Sequence, residues 1–398
     1  MRNLLTTDQV ALRLGVQPAT IYAYVSRGIL HRTLAADGRT SRFDPGEVDQ
    51  LARRGRPRRE ATRRGGIDVS LATAITHIDA ERLGYRGHDA TVLAEAASFE
   101  RVAELLWTGV LPAHPLTWPE PTAYADTLRA VRHALPTAAT PLDRFAVVAA
   151  ALAPRCPLRD DLRAPTALVH ARLLCMAFVA ALPVQQIHAV EPSTVAARLW
   201  PRLSPLAPTR PRTQLLDAAL VLLADHELAT STMAVRVAAS CRANPFAVVL
   251  AGLGALHGPL HGSAALAAHR VLLDAAVTGA EPALARALAA GRLHGFGHPV
   301  YREQDPRATA LLARLHAHAP RRDLAVIDAV AATGARLAAT APNVDFALAA
   351  LSFATKMPVG ATEAIFAIGR TAGWIAHALE EYAEEPLRFR ARAIYVVE

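Results

Sequence analysis

From about Ile67 onward the chain reads as one helix after another, and this run limits the folds open to it. Ala and Leu dominate the apolar residues, and both favour helix. Pro112, Pro192, Pro205, Pro208, Gly252, Gly254, Pro282, Gly334 and Pro342 punctuate the run. No internal repeat and no strand–helix–strand series interrupts it. Hydrophobic residues make up 52% of the 398, but aromatics only 5%, so the core must be mainly aliphatic. A chain of this length has room for two or three domains.

Chemistry in such a chain sits at the turns, where backbone can approach a ligand and a rigid scaffold projects polar side chains. Three turns stand out. Gly295-Phe296-Gly297-His298-Pro299-Val300-Tyr301-Arg302 continues through Glu303-Gln304-Asp305-Pro306-Arg307. Gly258-Pro259-Leu260-His261-Gly262 lies upstream, and Asn343-Val344-Asp345-Phe346 lies downstream. Two His and one Asp in marked turns suit acid–base work on a carbonyl. Asp345 stands between apolar neighbours, which make a carboxylate more basic.

This triple resembles citrate synthase, including its methylcitrate synthase relatives. Further blocks follow in that family's order: Ile78-Asp79-Ala80, Leu83 to Asp89, Leu105 to Pro112, Ala224-Asp225-His226-Glu227 and Phe366 to Trp374. The match covers roughly 67–398 and is poor at about 113–210. The resemblance implies a mostly α, two-domain citrate synthase fold. The large domain would take 67–262 and 353–398, and a small closing domain 263–352. It also implies a homodimer that condenses acetyl-CoA with oxaloacetate and hydrolyses the thioester to citrate and CoA. The alternatives are 2-methylcitrate synthesis from propionyl-CoA and a ligand-sensing, DNA-binding regulator with a synthase-like body. No resident cofactor is implied, acetyl-CoA being a substrate.

By the same resemblance Asp345 is the base, His261 steadies the enolate oxygen, and His298 polarises and protonates the ketone. Oxaloacetate is a dianion, which calls for guanidinium forks. Resemblance points to Arg302 and Arg370 with His226, and to Arg390 from a partner subunit, with Arg388 or Arg392 as substitutes. CoA phosphates want basic residues, for which Lys356, Arg314, Arg321 and Arg322 are candidates by position.

The sequence also departs from the family pattern. Gly262-Ser263-Ala264-Ala265-Leu266 replaces the usual Gly-Gly-Ala-Asn-Glu after the first histidine. The residues after Asp345 lack the Tyr-Ser-Gly type of sequence. Ala391 stands where Pro is expected after Arg390, and Val396 where Gly is expected after Tyr395.

Residues 1–66 differ in character. They hold 13 Arg against 6 acidic residues, an excess of seven positive charges out of the whole chain's +8. Thr7 can cap a helix carrying Val10 and Leu14, ended by Gly15. Pro18 opens a second with Ile21 and Val25, ended by Gly28. Asp37-Gly38 signals a hairpin, and Asp44-Pro45 starts a third helix with Val48 and Leu51 inward. This order resembles the winged helix-turn-helix of excisionases and MerR-type regulators, over 1–52. It implies a DNA face formed by Gln17, Thr20, Tyr22 and Arg27, with Arg39 and Arg42 on the wing. A basic linker, 53–66, follows. Within it Arg54-Gly55-Arg56-Pro57 looks like the core of an AT-hook, whose arginines Arg54 and Arg56 would lie in a minor groove.

Cys156, Cys175 and Cys241 are too few and scattered for a disulfide framework or a metal site, and are expected as buried reduced thiols. The apolar stretch Leu173 to Val184 is short of the about 20 residues that span a bilayer, and the N-terminus lacks a signal-peptide core. A cytoplasmic protein with no membrane partner is expected.

Overall fold

The structure is a computed structural model describing residues 4–14, 16–26, 28–34, 40–53, 69–79, 81–186, 193–258, 261–262 and 264–390. Arg27, Asp37, Gly38, Arg39, Arg54, Arg56, Ser263, Ala391, Arg392 and Val396 from the sequence reading lie outside them. The chain divides into two compact units, Met1–Leu71 and Ala72–Glu398.

The first unit runs β1 (Leu5–Thr6), α1 (Thr7–Leu14), α2 (Pro18–Ser26), β2 (Thr33–Leu34), β3 (Ser41–Phe43) and α3 (Pro45–Arg53). Its strands form an antiparallel sheet in the order β1-β3-β2. Strand β1 was not foreseen, because two residues carry no readable alternation. Val10, Ile21 and Val48 are wholly buried, each from one helix, and Tyr24, Leu30 and Phe43 complete a small core. The Asp44 carboxylate accepts from Gly46 N at 2.7 Å and starts α3. Gln17 and Tyr22 are exposed, while Thr20 and Arg42 are partly buried.

Among the described residues the second unit is helical apart from one small sheet of β4 (Thr76–Asp79), β5 (Arg82–Tyr85) and β6 (His88–Asp89). This sheet corrects the uninterrupted helical reading. Ile75, Leu83 and Tyr85 are buried in period two, and Arg86-Gly87, both at positive φ, close a two-residue hairpin.

The helix Ala361–Tyr382 passes through the middle of this unit and is buried over most of its 22 residues. It packs on the helices Phe99–Thr108, Ala164–Ala181, Arg210–Leu223, Thr230–Ser240 and Pro245–Leu256. Gly373 brings it against the Ala224–Glu227 turn. Its N–H donates to Ala224 O at 2.9 Å, and a Cβ there would meet Asp225 Oδ1 at 2.3 Å.

The helix Ala164–Ala181 is apolar and long enough to cross a bilayer, yet 61% of it is buried in this unit. Its Arg172 forks onto Glu104 at 2.7 and 2.8 Å, so its apolar length builds core. Cys156 and Cys175 are buried thiols, but Cys241 is exposed, because it sits at the end of the helix Thr230–Ser240 rather than on its inner face.

Candidate active site

The loops bearing His298 and Asp345 are bound to each other. Phe296 bridges Pro342, Gly297 N donates to Ala341 O at 2.9 Å, and Asn343 N donates to Gly295 O at 2.9 Å. Asn343 Nδ2 donates to Gly297 O at 2.8 Å. Its Oδ1 accepts from Asp345 N at 3.0 Å, capping the helix Val344–Ala354. Asn343 is therefore the cap, and Asp345 lies in the first turn. The tip of the Phe296 ring abuts Gly334, where a Cβ would come within 2.1 Å of its Cζ. Two loops far apart in sequence thus behave as one block.

His298 is held in one tautomer. Its Nδ1 accepts from Val300 N at 3.1 Å, which leaves the proton of a neutral ring on Nε2. Burial, then the nearby Arg307 charge, lowers its pKa to about 4, so the ring is neutral at pH 7. Arg307 Nη2 lies 3.3 Å from His298 Nε2. Both atoms carry protons in this tautomer, so the pair forms a two-donor corner suited to an oxygen rather than a mutual hydrogen bond. Asp305 fixes Arg307 from behind, accepting from its Nε at 2.9 Å and its Nη2 at 2.8 Å. Asp305 also accepts from Val344 N at 3.0 Å, tying the fork to the Asp345 helix.

His226 completes this corner. Its ring centroid is 5.1 Å from that of His298, and its Nε2 is 3.1 Å from the Tyr301 hydroxyl. Burial, with the Arg307 and Arg370 charges, holds His226 well below the usual histidine range. Behind it, Asp225 Oδ2 accepts from Thr76 Oγ1 at 2.5 Å and from His377 Nε2 at 3.3 Å. The opposite nitrogen of His377 faces Arg236 Nη1 at 2.8 Å, and Arg236 pairs with Glu380 and Glu381. This chain of hydrogen bonds and ion pairs fixes the turn on which His226 stands.

His261 is oriented from a different direction. Its Nε2 is 2.8 Å from Ser231 Oγ, which accepts from Trp374 Nε1 at 3.3 Å. Trp can only donate, so Ser231 Oγ accepts there, and its second lone pair or its proton meets His261 Nε2 according to the His261 tautomer. Burial, then Arg370, lowers the pKa of His261 to about 4. Phe366 lies edge-on to His261 and under the Arg370 guanidinium, with Cζ 4.9 Å from the ring centroid. Arg370 itself is buried, and its Nε donates to Leu223 O at 2.9 Å.

Asp345 is partly exposed, with Val344 and Phe346 buried on either side. Burial pushes its pKa up to about 6, against the lowering fields of Arg307 and Arg370 and with the help of Asp305. The field of Arg370 thus reaches both His261 and Asp345.

Arg302 is not in this cluster. It is exposed beside exposed Glu303 and Gln304, and Arg307 occupies the place beside His298. Arg390 is exposed, and Arg388 is engaged by Glu381 at 2.6 and 2.7 Å. Lys356 pairs with Asp323 at 3.0 Å. Where the family's Asn and Glu are replaced, Ala265 is buried and Leu266 partly so. Among the described residues no cluster of three His, Cys, Asp or Glu could hold a metal.

Fold and site together define an acid–base enzyme working on carbonyl compounds. The family model for the citrate synthase C-terminal domain matches residues 67–392, and a helix-turn-helix domain model matches 4–56. A citrate synthase of Acidithiobacillus ferridurans is 30% identical over 371 residues, covering 84% of this chain and 95% of that protein. A 2-methylcitrate synthase of Shewanella oneidensis is 28% identical over 366 residues, covering 84% and 93%. The crystal structure of citrate synthase from Thermotoga maritima superposes with a TM-score of 0.67 at 25% identity, covering 84% of this chain and 94% of that one. A Thermoplasma acidophilum citrate synthase in ternary complex with carboxymethyl coenzyme A and oxaloacetate gives 0.65 at 25% identity, covering 83% and 95%. The chain belongs to the citrate synthase family and is an acyltransferase of that type, preceded by a helix-turn-helix domain.

Proposed function

We propose that the enzyme condenses acetyl-CoA with oxaloacetate to give citrate and CoA. The observation that carries this is the donor corner of His298 Nε2 and Arg307 Nη2, 3.3 Å apart. It matches a 2-oxo acid, whose ketone and adjacent carboxylate present oxygens side by side. Asp345 takes a proton from the thioester methyl group, and the enolate oxygen accepts from the His261 ring. The enolate carbon then bonds to the ketone carbon as the ketone oxygen takes the proton of His298 Nε2. Water cleaves the resulting thioester and CoA leaves as its thiol. Arg307 and Arg370 bind the dianion with His226, and a second subunit supplies Arg390.

Thiol release from acetyl-CoA and propionyl-CoA with oxaloacetate tests this. Acetyl-CoA is expected to be the better substrate by kcat/KM, and a preference for propionyl-CoA makes the enzyme a 2-methylcitrate synthase. One methylene shifts such a ratio by about 10- to 200-fold. Release from neither ends the proposal.

The positive excess of residues 1–66 and the helix-turn-helix match support a second property, binding of duplex DNA through this unit. Fluorescence anisotropy of labelled duplex against full-length protein is expected to show affinity falling steeply with salt, by a log–log slope of about −0.9 per phosphate contacted. Replacing Arg54 and Arg56 with Ala should lower both affinity and slope. Binding indifferent to salt, or none, refutes this second property.

A further inference from the structure

We propose that a cavity away from the catalytic cluster binds a small amphipathic anion, with a carboxylate or phosphate head and an aliphatic body. The cavity has a volume of about 290 Å³ and lies among the helices Ala125–Ala134, Ala164–Ala181 and Val195–Leu203. None of the catalytic candidates lines it. Its size suits a ligand at the small end of the range for organic molecules.

Two features define the ligand. Arg132, Arg198 and Arg202 all line the cavity. Arg198 pairs with Glu120, which neutralises it. Arg132 and Arg202 instead donate to backbone, Arg132 Nη1 to Ala180 O at 2.9 Å and Arg202 Nη1 to Leu182 O at 2.5 Å. Among the described residues no carboxylate pairs with either. Two cations near one another with only neutral acceptors repel. Burial, then the Arg132 charge, lowers the pKa of Arg202 to about 10. An anion between the two forks relieves that repulsion and gains charge-assisted hydrogen bonds.

Apart from Glu120, held by Arg198, and Thr122, the rest of the lining is apolar. Leu128, Met176 and Val179 are buried side chains that face the same space. A bare inorganic ion would leave this surface uncovered, whereas an aliphatic tail covers it. Methionine adapts its shape readily, which suits tails of differing form.

Calorimetric titration of full-length protein with hexanoate, hexyl phosphate and hexanol tests the site. Saturable binding of an anion, with hexanol at least about tenfold weaker, is expected. The tighter of the two anions identifies the head group, and either result supports the site. Arg132 is exposed, so Arg132→Gln should fold normally, with an unchanged thermal midpoint, and weaken the anion about tenfold. Ala180→Leu narrows the cavity and should remove binding of the tail-bearing anion. Binding untouched by both variants, displaced by oxaloacetate, equal for hexanol, or absent at millimolar concentration overturns the proposal. Each of these readouts is independent of turnover, so failure here leaves the catalytic reading standing.

Discussion

Asp345→Asn is expected to reduce CoA release by about 10²- to 10⁴-fold, with KM values little changed. Asparagine keeps the size and the place in the first helical turn but cannot accept the thioester proton. The same carboxylate sets the pH profile. Its pKa is raised to about 6, so kcat/KM should fall as pH drops through about 6 and the base becomes protonated. His261 and His298 titrate near 4, below that window, and both donate as neutral rings throughout it. Stopped assays between pH 5 and pH 8, run on wild type and variant, check both statements. A variant that keeps more than about a tenth of wild-type kcat would remove Asp345 from the role of base.

Arg307→Lys should raise the KM for oxaloacetate roughly 10- to 100-fold, while Arg302→Ala changes it by no more than about twofold. Lysine preserves the charge but not the fork, which meets Asp305 with two nitrogens and presents Nη2 beside His298. A thermal midpoint measured alongside separates lost binding from lost fold, because Asp305 would keep a cation beside it. If Arg302→Ala carries the larger KM effect, Arg302 rather than Arg307 grips the oxo acid.

The contrast between these two arginines illustrates what the sequence made legible. The motif around His298 contained both, and resemblance selected Arg302. The discriminating signal was local. Asp305-Pro306 marks a helix start, which places Arg307 in the first turn and folds it back toward the loop. Arg302 sits in the polar run Arg-Glu-Gln, the pattern of a solvated loop. His261, His298, Asp345, His226 and Arg370 were legible because each sits in a marked turn or an ordered block.

Ser231, which orients His261, could not be read in advance. It lies 30 residues away on another helix, and a lone serine carries no signal until packing brings it within 2.8 Å. Trp374 was visible as part of a block, but its hydrogen bond to Ser231 depends on helix packing. The small sheet Thr76–Asp89 was overlooked for a different reason. Strands of two to four residues are too short to establish a period against a helical background.

The electrostatics of Asp345 have a consequence for the order of events. Five influences act on this carboxylate: burial and Asp305 strengthen it as a base, and Arg307, Arg370 and Arg292 weaken it. Arg307 and Arg370, two of the three that weaken it, are the cations proposed to clasp the oxo acid. Once oxaloacetate neutralises them, burial and Asp305 act against the Arg292 field alone, and the dianion adds its own negative field. The first substrate thereby primes the base for the second. Before it arrives, Asp345 is the weaker base. The acid limb of kcat, read with oxaloacetate saturating, should accordingly stand at higher pH than that of the free enzyme.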